Sequence, residues 1–554
     1  MVEDSGSARR GLAKLKADTF MTRTFSGAAI ARVHSYLAFS LLALALCAGA
    51  AEAQYVDARL IPKGALRIDF SPHYTNYHLR FSLGTPGVVD GTAEPLGTDL
   101  TVPLAGSNIF PTLAAAEAAI QPYSGDPTYQ IDIGSFQTIR DADVRQFPFG
   151  FSLGLLDRLT VSLNVPIVTT RSQVTFTNDT TNANVGWNLA NKNYGDATTA
   201  AEAAALFSQL TTAISDVQAA IAAGNFGCPT SAGCDLARAS VTRAQTLLGD
   251  LLAITGMAPG AEPVPVAPLA ASAAGTALLA EIAVVTSQMG ALGATPITAT
   301  LPLPTGRLSA DAINNTLLGG PDYVAAPIAF NRRTTFGDIE VGARLGVLMK
   351  PTARAVLTAT VRLPTGRPAR ADNFVDIGTG DGQMDLEMGI EGAFEPGSSV
   401  GISFAASYTL QLAHSLDRRV ATTDAPLVPL SYQALVDRDL GDVIRFSAYP
   451  TLRLSNALRV FGSAYYYHKG RDSFRYSGSA PAGAPPAALL ETKTEMQALS
   501  LGAGIAYRSD MTSTGRTLPV EAGFNYRWAF SGSGGLTPKA NSVQLYVRLF
   551  YRLF

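Results

Sequence analysis

The sequence predicts an all-β fold, a closed antiparallel transmembrane β-barrel of about 12 strands (range about 10–14), with an α-helical insert in the second long loop. Three observations predict it. Apolar residues recur at every second position in runs of ten or more residues, which is the length that a tilted strand needs to cross a bilayer. Short turns alternate with long connections along the chain. Charged residues fall on the face opposite the apolar one.

The hairpin at 336–363 shows this alternation most fully. Apolar residues occupy every second position over 339–347, a tight turn follows at Lys350-Pro351-Thr352, and the alternation resumes over 355–363. Successive side chains of a strand leave opposite faces, so a period of two indicates strands.

The same pattern predicts the other strands. Pro72 marks either a bulge in the first strand or the end of its membrane-crossing part. The predicted segments are 66–81, 147–155, 159–167, 384–390, 400–410, 444–452, 458–460, 499–507, 520–530 and 543–553.

Connection lengths predict the orientation of the barrel. Turns near 157, 351, 397, 456 and 512 are short, whereas the connections 83–142, 177–333, 364–382, 414–439, 472–492 and 531–540 are long. This is the layout of an outer-membrane barrel with both termini in the periplasm. Closure is expected, because an open edge would leave backbone groups unpaired in lipid.

Four regions follow from these patterns. Residues 1–53 read as a signal peptide, with an apolar run at 37–50 and an A-x-A site before Gln54; Met21 is an alternative start. Residues 54–176 hold strands 1–3 and a long first loop, in which a short helix is expected at 112–121 with Thr112 as its cap. Residues 177–333 form an Ala-rich helical extracellular insert, with a third helix near 278–292. Residues 334–554 hold strands 4–12.

Composition excludes one class of partner. With 42 Lys and Arg, 44 Asp and Glu and a net charge of −2, a nucleic-acid binder driven by overall basicity is not expected. Cys228 and Cys234 are expected to form a disulfide in an exported chain. A metal pair is the alternative, although no His lies near them in the sequence.

Short motifs at three places resemble a known family. Leu153-Gly-Leu-Leu-Asp-Arg-Leu159, Phe336-Gly337-Asp338 and Leu363-Pro364-Thr365-Gly366 are similar to motifs of outer-membrane channel-like proteins associated with the meta-cleavage pathway of phenol degradation. The resemblance covers 143–170 and most of 334–554, and it implies a transmembrane barrel that acts as a channel. The 177–333 insert departs from it. Phe554 resembles the terminal aromatic residue that barrel-assembly machinery recognises.

The face opposite the apolar set is predicted to line the lumen, because charges facing acyl chains cost a few kcal/mol near the midplane. Two interpretations remain open: an ion-pair network that fills the lumen, or a charge-lined pore that selects solutes. The predicted pore-lining residues are Arg67, Asp338, Glu340, Arg344, Arg354, Arg362, Asp385, Glu387, Glu391, Arg445, Arg453, Arg459, Glu521, Arg527, Arg548 and Arg552.

These features predict a passive outer-membrane channel of a Gram-negative bacterium for small, hydrophobic or aromatic solutes. The alternative is a non-transporting anchor that displays the insert for adhesion or protein interaction, with an outer-membrane hydrolase as a remote third. No catalytic residue, cofactor or metal is predicted. The Gly-rich stretch 378–382 is read as a strand connection rather than a calcium loop. Expected partners are membrane lipid, the assembly machinery and a small solute.

Overall fold

The computed structural model describes residues 56, 58–83, 92–397, 399–422, 425–481, 484–509 and 519–553. The predicted signal peptide and Phe554 lie outside the described residues.

Twelve antiparallel strands form the barrel, and two of them consist of two segments each. Their bounds are β1 Ala65–Phe70 and His73–Tyr77, β2 Ser135–Leu156, β3 Leu159–Asp179, β4 Asn331–Phe336 and Ile339–Met349, β5 Ala353–Leu363, β6 Asp385–Phe394, β7 Val400–Gln411, β8 Val443–Arg453, β9 Leu458–Lys469, β10 Met496–Arg508, β11 Val520–Ser533 and β12 Asn541–Arg552.

Each strand pairs with the next in the chain, and β1 pairs with both β2 and β12. This last pairing closes the sheet, so the predicted closed barrel of about 12 strands is confirmed. The 339–363 hairpin pairs Val341 with Val361, and a bulge lies between Gly346 and Leu348. Pro72 follows the break in β1, where the strand resumes at His73.

The outer face of the wall is apolar and exposed. Leu163, Val341 and Leu545 expose 39%, 47% and 51% of their surface. In a two-layered sandwich in water these side chains would be the core, whereas here they point away from the protein all round the wall. The alternation therefore produces the lipid-facing band of a transmembrane barrel.

The strand pair β2–β3 is longer than the others and carries the insert. Its ladder runs without interruption from the Leu156–Leu159 turn to the pair Ser135–Asp179. The outward positions beyond Phe147 are mostly polar, so this part of the hairpin extends past the apolar band.

Four α-helices pack around one hydrophobic core outside the barrel. They are α1 Ala114–Ser124, from the first long loop, and α2 Ala197–Ala222, α3 Ala232–Thr255 and α4 Ala273–Ala291, from the second. The side chains of Asp196, Ser231 and Ser272 cap α2, α3 and α4 by accepting backbone N–H bonds. A disulfide joins Cys228 to Cys234 at the start of α3.

The helical prediction is wrong in one detail. Thr112 does not cap α1, because it lies inside a 3₁₀ turn, Pro111–Leu113, that leads directly into the helix. The helix predicted near 278–292 begins earlier, at Ala273. None of the described helices is both long and apolar enough to span a membrane.

Smaller elements fill the long loops. A three-stranded sheet lies above β7–β10, two two-stranded ladders lie in the first two loops, and short turns of helix connect them. The strands are His414–Arg419, Gln433–Asp439 and Ser473–Tyr476, Leu79–Phe81 with Ala93–Pro95, and Val185–Trp187 with Val266–Pro268; the short helices are Thr98–Leu100, Asn225–Gly227, Ala312–Leu317, Leu430–Tyr432 and Ala487–Leu490.

Candidate functional site: the barrel lumen

Charged side chains on the inner face of β4, β5 and β6 form ion pairs across the strands. Arg362 is buried and donates to Glu340 at 3.1 Å and to Asp385 at 2.9 Å. Arg344 pairs in the same way with Glu391. The structure therefore brings these five predicted residues together on one wall.

A second group lies on β6, β7 and β8. Arg445 donates to the Glu387 carboxylate at 2.6 Å and to the Thr409 hydroxyl at 2.9 Å. Its guanidinium is also 5.9 Å from the centre of the Tyr467 ring. Arg445 is almost fully buried, and these contacts compensate for the loss of hydration of its charge.

One carboxylate that the sequence analysis missed organises this wall at the end of the barrel where β6 ends. Glu395 pairs with Arg354, Arg453 and Arg459 at 2.9, 3.0 and 3.2 Å. It comes directly after β6, four residues after Glu391. The spacing 387, 391, 395 is the signal that would have identified it.

Replacing Glu395 by Gln is expected to destabilise the barrel. The substitution removes the shared partner of three arginines, and leaving partly buried charges unpaired costs about 1–3 kcal/mol. Urea titration of the folded protein in lipid vesicles measures this change. Lys350→Gln, which alters an exposed charge in another short turn, is the control and should have no measurable effect. Equal unfolding free energies for wild type and Glu395→Gln would contradict the prediction.

The seam between the first and last strands has its own network. Asp69, also missed, accepts from Arg548 at 3.1 Å and lies 3.4 Å from Arg67. Glu521 pairs with Arg548 at 3.3 Å and with Arg508 at 3.1 Å.

Two predicted residues lie elsewhere than in the middle of the lumen. Arg552 is exposed at the C-terminal end of β12. Asp338 occupies the break in β4 instead of continuing the strand, and its carboxylate accepts the Gly366 N–H at 2.8 Å. Asp338 therefore holds the 364–384 loop against the wall.

Asp381 makes the stability of the folded 364–384 loop depend on pH. Burial raises the pKa of Asp381 to about 7, and the carboxylates of Asp385 and Asp338 contribute to the rise. The ordinary pKa is 3.8, so the folded loop binds this proton more tightly than the unfolded loop does. The contribution of this proton to the stability of the folded loop is complete below pH 3.8, and it is lost as the pH rises through about 7.

We expect amide exchange in residues 364–384, corrected for its intrinsic pH dependence, to accelerate between pH 4 and pH 7. Asp381→Asn should keep the low-pH protection throughout this range, because the amide is neutral. Asp372→Asn, in the exposed part of the same loop, should behave like wild type. If Asp381→Asn left the pH dependence unchanged, Asp381 would not be the responsible group.

The chain before β1 lies inside the barrel, at the end where β1 begins. Val56 packs against Tyr449 and Phe461, whereas Ala58 packs against Val356 on another part of the wall. Further along, the Ile61 N–H donates to the Thr160 hydroxyl of β3 at 3.2 Å. In addition, the carbonyl of Arg59 accepts from Arg344 at 3.1 Å. The segment therefore crosses the lumen.

A hydrophobic core fills the end of the barrel where the long loops lie. Ile377, Leu416 and Leu440 from the loops are buried against Tyr465 and Tyr467 on the inner face of β9. The loops thus pack into the mouth of the barrel and narrow it.

Between these two closures the lumen retains space. A cavity of about 90 Å³ lies inside β9–β12 beneath the loop residues Thr537 and Pro538. Four of its other lining residues are His73, Tyr465, Tyr467 and Arg527. Smaller spaces of about 20 Å³ each lie beside Arg362 and beside Arg548. Among the described residues, no group of His, Cys, Asp and Glu is placed to hold a metal ion.

Comparison with known proteins gives likeness in fold. No family model and no curated protein matches the chain. An outer-membrane channel from Pseudomonas putida F1 is 7% identical, with a TM-score of 0.40, over 90% of this chain and 100% of that chain. The Ralstonia pickettii toluene transporter TbuX is 10% identical, with a TM-score of 0.29, over 89% of this chain and 90% of that chain. The Pseudomonas putida toluene transporter TodX is 9% identical, with a TM-score of 0.26, over 94% of this chain and 95% of that chain.

These structural neighbours are outer-membrane channels. The association with phenol degradation, which three short motifs of the sequence suggest, remains a prediction.

Proposed function

We propose that the protein is a passive channel of a Gram-negative outer membrane that admits small hydrophobic or aromatic solutes. The observation that carries the proposal is the cavity inside β9–β12, which combines a few polar groups with aromatic and small apolar side chains. Pockets for small molecules have this composition. The motifs that resemble the phenol-pathway family favour an aromatic solute.

In this proposal the paired charges form the rigid wall of the passage. Arg362, Arg445 and Arg548 are held by carboxylates on neighbouring strands, so little net charge faces the lumen. A neutral solute would meet a polar surface on which these positive and negative charges balance each other. Both termini would lie in the periplasm, and β12 would be the strand that the assembly machinery recognises.

Two measurements test the proposal. Purified protein should form channels in planar bilayers, and liposomes that contain it should take up phenol or toluene faster than empty liposomes. Replacing 182–328 by a short linker should leave both activities in place, because that region packs outside the barrel wall. Liposomes that remain as impermeable as empty ones would contradict the proposal.

The second candidate is an anchor that displays the helical module. The shared core of α1–α4 and the Cys228–Cys234 disulfide favour a stably folded external unit. This candidate predicts a sealed barrel and loss of binding to a surface partner when 182–328 is replaced.

A further inference from the structure

Arg527 differs from three buried arginines on other strands of the barrel wall. Arg362, Arg445 and Arg548 each have a carboxylate partner. Within the part of the chain that the structure describes, Arg527 has no carboxylate within 4.0 Å. Its guanidinium lies over the Tyr465 ring, 4.4 Å from the ring centre.

The cavity beside Arg527 contains no acidic residue among those that line it. Its polar lining consists of His73 and the hydroxyls of Ser, Thr and Tyr residues. Its apolar lining consists of Ala498, Ala529, Pro538 and Ala540. A cation that faces such a space lacks an anionic partner, which makes the cavity a favourable place for an anion.

A second unsatisfied group lies next to the cavity. Gln544 is 98% buried, and neither its amide nitrogen nor its amide oxygen has a hydrogen-bond partner among the described residues. It is the register partner of His73 and lies on the same face of β12 as Ser542, which lines the cavity. Buried amides in proteins are normally hydrogen-bonded, so the wall behind the cavity contains an unsatisfied polar group in addition to Arg527.

We propose that this cavity binds a small aromatic carboxylate. The carboxylate pairs with the Arg527 guanidinium, whose planar fork matches a carboxylate with two parallel hydrogen bonds. The aromatic ring lies against Tyr465, Tyr467 and the alanine side chains, where ring–ring and apolar contacts stabilise it. This inference rests on the proposed channel function and assigns a substrate class to the same lumen.

Equilibrium dialysis of radiolabelled benzoate against the full chain in non-ionic detergent tests the proposal. We expect saturable benzoate binding that Arg527→Gln weakens at least about tenfold, since the substitution removes a charge-assisted pair. Acetate should compete poorly because it lacks the ring. Binding of benzyl alcohol, which has the ring without the charge, should be unaffected by Arg527→Gln.

Arg453→Gln is the matched control. It removes another lumen arginine, but Glu395 keeps Arg354 and Arg459 as partners. Its affinity for benzoate should equal that of wild type. Equal benzoate affinity in wild type and Arg527→Gln, equal competition by acetate and benzoate, or no saturable binding would each overturn the inference. The channel proposal is judged separately, by phenol uptake into liposomes, so a protein that passes phenol without binding benzoate refutes this inference alone.

Discussion

Deletion of residues 56–62 is expected to raise the single-channel conductance several-fold. The described part of this segment contacts Tyr449 and Phe461 on one part of the wall and Val356 and Thr160 on others. Because it crosses the lumen, it reduces the open cross-section at the end of the barrel where β1 begins, and conductance rises with that cross-section. Planar-bilayer recordings of wild type and the deletion variant measure the change.

Lys63→Ser is the control for this experiment. Lys63 is exposed at the end of the same segment, so its replacement alters a charge without removing a lumen contact. Its conductance should match that of wild type. A deletion variant with unchanged conductance would show that residues 56–62 do not narrow the lumen.

Replacing Leu163 by Arg is expected to destabilise the barrel by about 2–4 kcal/mol, the cost of an arginine near the bilayer midplane. Leu163 is an outward, exposed residue in the middle of the membrane-crossing part of β3, paired with Val341 of β4. The guanidinium would have to lie among acyl chains or distort the bilayer around it. Reversible urea unfolding in lipid vesicles measures the free-energy change.

Ile139→Arg tests whether lipid is the cause. Ile139 is also an outward and exposed residue, but it lies on the extension of β2, flanked on the same face by Gln137 and Asp141. It is in water, so its replacement should change stability by less than 0.5 kcal/mol, as is usual for surface sites. Equal losses at both positions would mean that the apolar band does not mark the membrane.

The strands were predictable because lipid imposes a strict rule on them. Every second residue must be apolar, and backbone groups must pair along a closed ladder, so period and length together indicate both the element and its setting. The hairpin follows from the short turn at Lys350-Pro351-Thr352, but its exact register does not. The pairs beside the turn would place Val341 opposite Arg362, and the bulge between Gly346 and Leu348 shifts its partner to Val361. The inward side of Arg362 and Arg445 follows from the same alternation.

The loops and termini were not predictable in this way. Ile377 and Leu416 are buried in the mouth of the barrel, but they belong to segments without periodicity, so their sequence does not indicate where they pack. Asp338 fits the alternation of the sequence. In the structure it lies at the break in β4, where its carboxylate accepts the Gly366 N–H. Glu395 lies one residue beyond the end of β6, so only the spacing 387, 391, 395 indicates that it shares the inner face with Glu387 and Glu391.

The ladder that joins Ala65–Phe70 to Asn541–Arg552 has a consequence for biogenesis. β1 is synthesised first but can pair with β12 only after β12 has been made, because the pairing of these two strands closes the barrel. Until the final residues are exported, the wall has two open edges, and contacts of such long sequence separation form slowly. The barrel can therefore close only after all twelve strands have been made.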